Sequence, residues 1–272
     1  MILQKSKNRL HSFVCLIILI LSLSISSALY STYEIEDCNY GTGNYTNGSI
    51  YEDNLKLLLS SLSKSTPITG YFEDTISSNG TNEVFGHAMC RGDLELPDEC
   101  IPCLQYASIK LTTLCPYRKN AGVLYDKCFL RYGSENFFGT PTGSWWYSNL
   151  IKNISTDAEK FIVVRKNLFS KLVMEATSGT ISPDFFAAGQ EVVSSHLNVF
   201  ALLHCTRDLS LAVCKECLEY HANNIFRYSA YHAGSMHLGI GCFLRYENQI
   251  FFNSPTLPPP PAIPPPSPPA KL

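Results

Sequence analysis

Two stretches of the chain place apolar residues at helical spacing directly after a helix-start signal. Ser49-x-x-Glu52 precedes Leu55, Leu58, Leu59 and Leu62, and Thr156-x-x-Glu159 precedes Phe161, Val164, Leu168 and Leu172. A hydroxyl at the N-cap with a glutamate three residues on satisfies backbone N–H groups that a first turn leaves open, so both predict amphipathic helices. A second such pair carries Cys100, Cys103, Leu104, Ala107, Leu111 and Leu114 on one face, and Cys214, Cys217, Leu218, His221 and Ile225 on the other copy's face. Strand-like segments at 68–77, 82–90, 121–132 and 135–139 flank the helices of the first half, with matching stretches in the second. Each half therefore reads as two helices on an antiparallel sheet, an α+β fold.

The likeness of the halves is a repeat. VFGHAMCRGDLELPDECIPCL at 84–104 aligns with VFALLHCTRDLSLAVCKECL at 199–218, and CFLRY occurs at 128–132 and again at 242–246. The offset is 114 residues from Cys100 and Cys214 onward and 115 before them. The expected organisation is a first domain at 29–139, a linker at 140–152 and a second domain at 153–253.

The two ends are different material. Residues 1–28 have Lys5, Lys7 and Arg9, then an apolar run from Phe13 to Ile25, then Ser26-Ser27-Ala28. That is the three-part pattern of a secretory signal peptide, and the run is shorter than the roughly 20 residues needed to cross a bilayer. Residues 254–272 form a tail with ten prolines, expected to be an extended polyproline II spacer. No other apolar run is long enough to span a membrane, so a secreted chain is expected.

Removing the signal leaves 18 basic and 23 acidic residues, a net charge of −5 with no basic cluster. Phosphate contacts need concentrated lysine and arginine, so no nucleic-acid partner is expected. Sequons at Asn44, Asn47, Asn79 and Asn153 agree with a secretory route and are candidate glycosylation sites.

Loss of Cys15 with the signal also turns 11 cysteines into ten, an even number that reads as a disulfide framework. The first copy has Cys38, Cys90, Cys100, Cys103, Cys115 and Cys128; the second has only Cys205, Cys214, Cys217 and Cys242. The residues opposite Cys38 and Cys115 are Lys152 or Asn153 and Ser229. Joint absence of two cysteines argues that they are partners, giving Cys38–Cys115; the other four of each copy allow three pairings. Zinc on Cys205, Cys214, Cys217 and Cys242 needs thiolates in a reducing compartment, so no metal or other cofactor is expected.

The spacing Cys-x9-Cys-x2-Cys-x11-Cys-x12-Cys, with Cys38 upstream and Cys-Phe-Leu-Arg-Tyr at its end, resembles the plant ginkbilobin-homologous (stress-antifungal) domain. The second copy keeps the family's usual first interval, Cys205-x8-Cys214. A signal peptide followed by two such domains resembles a plant cysteine-rich repeat secretory protein, and also the ectodomain of a cysteine-rich receptor-like kinase. The resemblance implies Cys38–Cys115, Cys90–Cys100, Cys103–Cys128, Cys205–Cys214 and Cys217–Cys242. It also implies a mannose site built of an Asn, an Arg and a Glu. Only Asn39 matches in the first copy, where Gly122 and Gly133 replace the Arg and Glu, and only Glu247 in the second, where Met236 replaces the Arg. Arg118 lies four positions early.

The remaining candidates are weaker. Arg91-Gly92-Asp93 spells an adhesive tripeptide, but Asp93 aligns with Asp208, which points to a turn or cap. Histidines 196, 204, 221, 232 and 237 show no ligand spacing, and no nucleophile elbow, phosphate loop or carboxylate pair is present. Trp145, Trp146 and Tyr147 are expected at a domain–domain contact. The overall expectation is a secreted, non-enzymatic recognition protein for an extracellular carbohydrate or protein, with a receptor-kinase ectodomain as the alternative. The second domain, one staple short, is expected to dock on the first.

Overall fold

The computed structural model describes residues 34–38, 43–78, 80–140, 146–179, 185–239 and 241–253. The stretches read as signal peptide and proline-rich tail, and the candidates Asn39, Asn79 and Trp145, lie outside them.

Each copy folds as a five-stranded antiparallel sheet with two helices. The first contains β1 (Glu34–Asp37), α1 (Ile50–Thr69), β2 (Tyr71–Ser78), β3 (Thr81–Cys90), α2 (Cys100–Leu114), β4 (Ala121–Tyr125) and β5 (Cys128–Gly133). The second contains β6 (Trp146–Asn153), α3 (Ala158–Ala176), β7 (Phe186–Ser194), β8 (Leu197–Cys205), α4 (Leu211–Tyr228), β9 (His232–Gly239) and β10 (Cys242–Glu247). The strand orders are β1-β4-β5-β3-β2 and β6-β9-β10-β8-β7, the same topology twice.

α1 starts as its capping box predicts: Ser49 Oγ accepts from Glu52 N at 3.3 Å, and Gly48 N donates to Glu52 Oε2 at 2.6 Å. It stops at Gly70, whose left-handed φ of 79° lets its N–H reach Thr66 O. The second box is a correction. The N-cap of α3 is Asp157, at φ 59° with no side-chain cap bond, and Glu159 instead accepts from Tyr231 OH at 3.3 Å. α4 has a cap that the pattern missed, Ser210 Oγ accepting from Val213 N at 3.3 Å.

The strands also differ from expectation. The stretch 121–132 is two strands broken at Asp126-Lys127, and 135–139 is a turn in which Thr140 N reaches Phe137 O. The four-residue β1 carries too little pattern to be read. β6 begins inside the stretch read as linker, because its N-terminal half pairs with β9 from Trp146↔Leu238 onward.

Alternation along β5 explains the layering. Cys128, Leu130 and Tyr132 face the helices, whereas Phe129 belongs to a separate cluster with Leu124 from the same sheet and Phe200, Leu202, Met236, Phe243 and Phe252 from the other copy. In β10, Cys242, Leu244 and Tyr246 face the second copy's helices and Phe243 faces the seam. The sheets thus pack against each other with helices outside, and the central strands are buried on both faces. Five bonded cysteine pairs tie sheet to helix or loop: Cys38–Cys115, Cys90–Cys100, Cys103–Cys128, Cys205–Cys214 and Cys217–Cys242, with Cα separations from 5.2 to 6.1 Å.

Candidate functional site

The seam between the sheets gathers two of the three buried arginines among the described residues. Arg91, at the end of β3, donates twice to Asp93, from Nε at 2.6 Å and from Nη2 at 2.9 Å. Its Nη1 reaches Asp126 Oδ1 at 3.1 Å, and Arg245 of β10 meets the same oxygen at 2.7 Å. Arg245 also pairs with Glu247 and lies over the Phe251 ring, 4.2 Å from its centroid. Both arginines are buried, so carboxylates from each copy offset the cost of desolvating them.

A second motif repeats with the duplication. Asp208 Oδ2 accepts from Gly139 N at 2.8 Å, and Asp93 Oδ2 accepts from Asn253 N at 2.7 Å. Gly139 and Asn253 are equivalent positions, as are Asp93 and Asp208, so each copy's aspartate caps the segment after the other's last strand. Arg131 over Phe137, at 3.8 Å, mirrors Arg245 over Phe251.

The Arg91 and Asp93 side chains of the tripeptide are therefore committed to contacts within the protein. Gly92 is required there because Phe186 of the second copy lies against it; a Cβ would come within 2.4 Å of Phe186 Cγ. Its counterpart Arg207 reaches across to donate to Thr69 O at 2.8 Å.

His87 and Asp208 form the one histidine–carboxylate pair of the seam among the described residues, Nδ1 to Oδ1 at 3.7 Å. That is too long for a hydrogen bond. Burial pushes the imidazole down to about 4, Asp208 pulls it up, and Arg131 pushes with burial, so the ring is neutral near pH 7. Phe129, Phe137 and Phe138 enclose it with centroids 5.2 to 6.3 Å away. Tyr71 OH, 3.4 Å from Nδ1, is the neighbouring hydroxyl, and burial raises its ionisation far above the usual tyrosine value. A neutral imidazole sealed by rings has the composition of a catalytic dyad without access for a substrate.

The other sequence candidates are dispersed. Glu247 is tied to Arg245, and Met236, at the expected arginine position, is in the seam core. Arg118 Nη1 donates to Asn44 Oδ1 at 3.2 Å. Asn44, Asn47 and Asn153 are exposed. Cys217, His221 and Cys242 lie within 4.8 Å of one another, but the two sulfurs are bonded together, leaving one imidazole and no thiolate. The seam among described side chains is built from strand residues and the two Phe-Phe turns; Trp146 and Tyr147 enter as backbone of β6.

Sequence reasoning missed Arg165. Leu55, Leu58, Leu59 and Leu62 of α1 repeat in α3 as Arg165, Leu168, Phe169 and Leu172, with the same spacing and all buried. Arg165 is fully buried, donates to Ala230 O at 3.0 Å and stacks 4.4 Å from the Tyr246 centroid. Comparing the two stripes position by position would have exposed a charge where leucine stands.

The Salt stress response/antifungal family model matches residues 37–135 and 148–249, once per sheet-and-helix unit. The chain belongs to this family. Cysteine-rich repeat secretory protein 38 of Arabidopsis thaliana is 34% identical over 249 residues, covering 90% of this chain and 97% of that one. The antimicrobial ginkbilobin-2-like protein of Castanea crenata is 30% identical, covering 89% and 98%. In fold the chain is similar to the tandem DUF26 ectodomain of the Arabidopsis thaliana cysteine-rich receptor-like protein PDLP8, with a TM-score of 0.67, 23% identity, and coverage of 80% and 98%. No described helix of this family member is long and apolar enough to cross a membrane.

Proposed function

We propose that the mature chain is a secreted, non-enzymatic recognition protein of the apoplast that binds a cell-wall carbohydrate or an extracellular protein. The observation that carries this reading is the occupation of the seam. Its buried arginines and aspartates are committed to one another and to backbone N–H groups across the two copies, so recognition falls to the outward helices and loops. Relatives named as secretory support the compartment. Glycan arrays and pull-downs from cell-wall extract with the intact mature chain test it. Hydrolytic activity in the pure protein, abolished by one side-chain change, would overturn it.

A second reading is supported by cysteine-rich receptor-like protein kinase 8 of Arabidopsis thaliana, which is 28% identical over 96% of this chain but only 39% of its own length. On that reading the chain is a receptor ectodomain, and the proline-rich stretch holds it off a membrane. Genomic sequence downstream of Leu272 separates the two: an in-frame apolar segment and kinase favours the ectodomain, a stop codon the secreted protein.

A further inference from the structure

On the outer face of the first copy a groove of about 640 Å³ runs between α1 and α2. That volume is in the range of a small-ligand site. Leu55 and Leu59 line it, with Ser60, Ser63, Gln105 and Ser108 supplying hydroxyl and amide groups. Lys56, paired with Glu52 at 2.8 Å, and Lys64 add charged groups. An apolar floor ringed by donors and acceptors suits sugar rings better than a lipid chain. The equivalent groove of the second copy is smaller, about 370 Å³, and places Phe169, Met174 and Phe226 beside Lys166, Lys215 and Glu219.

Tyr45 and Glu52 line the first groove where α1 begins. Tyr45 is half-buried and held in place: its N–H donates to Tyr117 O at 2.9 Å, and its ring stacks on Tyr51 at 5.5 Å and meets Tyr117 edge-on at 5.9 Å. Tyr117 is half exposed and has a φ of 63°, a conformation that bulky residues adopt only where surroundings impose it. The ring platform is therefore built, not incidental.

Asn47 is exposed beside it, two residues after Tyr45 and at the head of Asn47-Gly48-Ser49. Gly48 N donates to Glu52 Oε2, which fixes this turn against the groove. Asn44, the neighbouring sequon, instead forms a backbone bridge with Arg118 and accepts from its guanidinium.

We propose that Asn47 carries an N-linked glycan whose first sugars stack on Tyr45 and continue into the α1–α2 groove. The inference rests on the secretory route proposed above. In the transfer, Asn47 Nδ2 attacks the anomeric carbon of a lipid-linked diphosphate oligosaccharide. The N–C1 bond forms, the C1–O bond to the diphosphate breaks, and the amide loses one proton. The groove's occupant is thus attached to the protein and pays little entropy to bind.

The test uses the whole chain secreted from cells that make high-mannose glycans, in an Asn44→Gln background so that the adjacent sequon contributes nothing. Glycopeptide mass spectrometry should find Asn47 modified. Under native conditions endoglycosidase H should release that glycan about tenfold more slowly than from Tyr45→Ala, the difference expected for one sugar–ring stack. Ser108→Trp, which fills the groove with Tyr45 intact, should also speed release. An unmodified Asn47, or equal release from all three proteins, would overturn the proposal. Equal release from a modified Asn47 leaves the secretory reading standing, so the two failures are distinguishable.

Discussion

The two copies hold the same corner of the fold by different physics. In the first, Cys38 is bonded to Cys115, which ties the end of β1 to the end of α2, and the neighbouring interior is apolar, with Leu55, Ala107 and Val123 buried. In the second, Ser229 stands at the Cys115 position and accepts from Ser235 Oγ at 3.0 Å. Arg165, His221 and His237 take the positions of Leu55, Ala107 and Val123. Arg165 fastens the loop after α4 through Ala230 O, and Tyr246 OH donates to Ser229 O and His232 O. A covalent tie independent of pH has been exchanged for a buried polar cluster whose worth depends on protonation. The lesson is that one corner of the same fold can be closed either by a disulfide or by a buried hydrogen-bonded cluster.

The largest expected effect is on the covalent side. Cys38 and Cys115 are 77 positions apart, and in the chain-entropy model closing such a loop contributes roughly 4 kcal/mol. Cys38→Ser with Cys115→Ser should lower the first copy's unfolding free energy by most of that, read by denaturant titration. An unchanged midpoint would mean that the disulfide is not what separates the copies.

Next is the residue that replaces leucine. Arg165→Ala removes stacking on Phe161, Phe226 and Tyr246 and a bond to Ala230 O, and should cost the second copy about 3 kcal/mol. Arg165→Leu, which restores the first copy's residue, should recover most of that loss, because no carboxylate pairs with the arginine among the described residues. Equal losses for both variants would show that the charge itself is needed.

The histidines sharpen the contrast through pH, because the second copy's cluster holds two depressed imidazoles and the first copy has His87 at the seam. Burial lowers His221 to about 4, and burial, then His221 and Arg165, lower His237 to about 3. Both are neutral when folded but protonate near 6.5 when unfolded, so the unfolded state binds more protons as pH falls. Their stabilisation is fully present above about pH 6.5 and declines below it, by about 1.4 kcal/mol per histidine per pH unit until the folded value is reached. The second copy should thus melt progressively lower between pH 7 and 5, and His237→Val should flatten that slope by about half. A slope unaffected by the substitution would assign the pH dependence elsewhere.

A smaller effect belongs to the seam. Asp126→Asn leaves Arg91 with Asp93 and Arg245 with Glu247 but removes the negative charge that the two copies' arginines share, and should cost roughly 1 kcal/mol. The loss should grow at low salt if the bridge is chiefly electrostatic.

How much of this was legible depended on whether one face or two were covered. The leucine stripe of α1 and the repeated cysteine frame show plainly in the chain, because one-sided burial leaves a periodic trace. Phe129 and Phe243 were recognisable as strand residues but not as seam residues: a strand buried on both faces loses the period-two contrast that would tell its sides apart. Gly92 gave no hint of Phe186, which is 94 residues away in the chain and reaches it only after the sheets meet. Glu247 was picked out for a sugar, yet Arg245 two residues before it faces the same way along β10 and claims the carboxylate. Arg165 was hidden by reading the α3 stripe through Val164, which is only partly buried.

The second copy has no disulfide at the Cys38–Cys115 position and is expected to lean on the seam. The first copy, residues 30–139, and the second, residues 145–253, should therefore be melted separately and compared with the tandem, with disulfides confirmed by mass spectrometry. The predicted result is a second copy that unfolds well below its transition in the tandem, while the first changes little. A second copy that melts as high alone as it does when docked would contradict the claim.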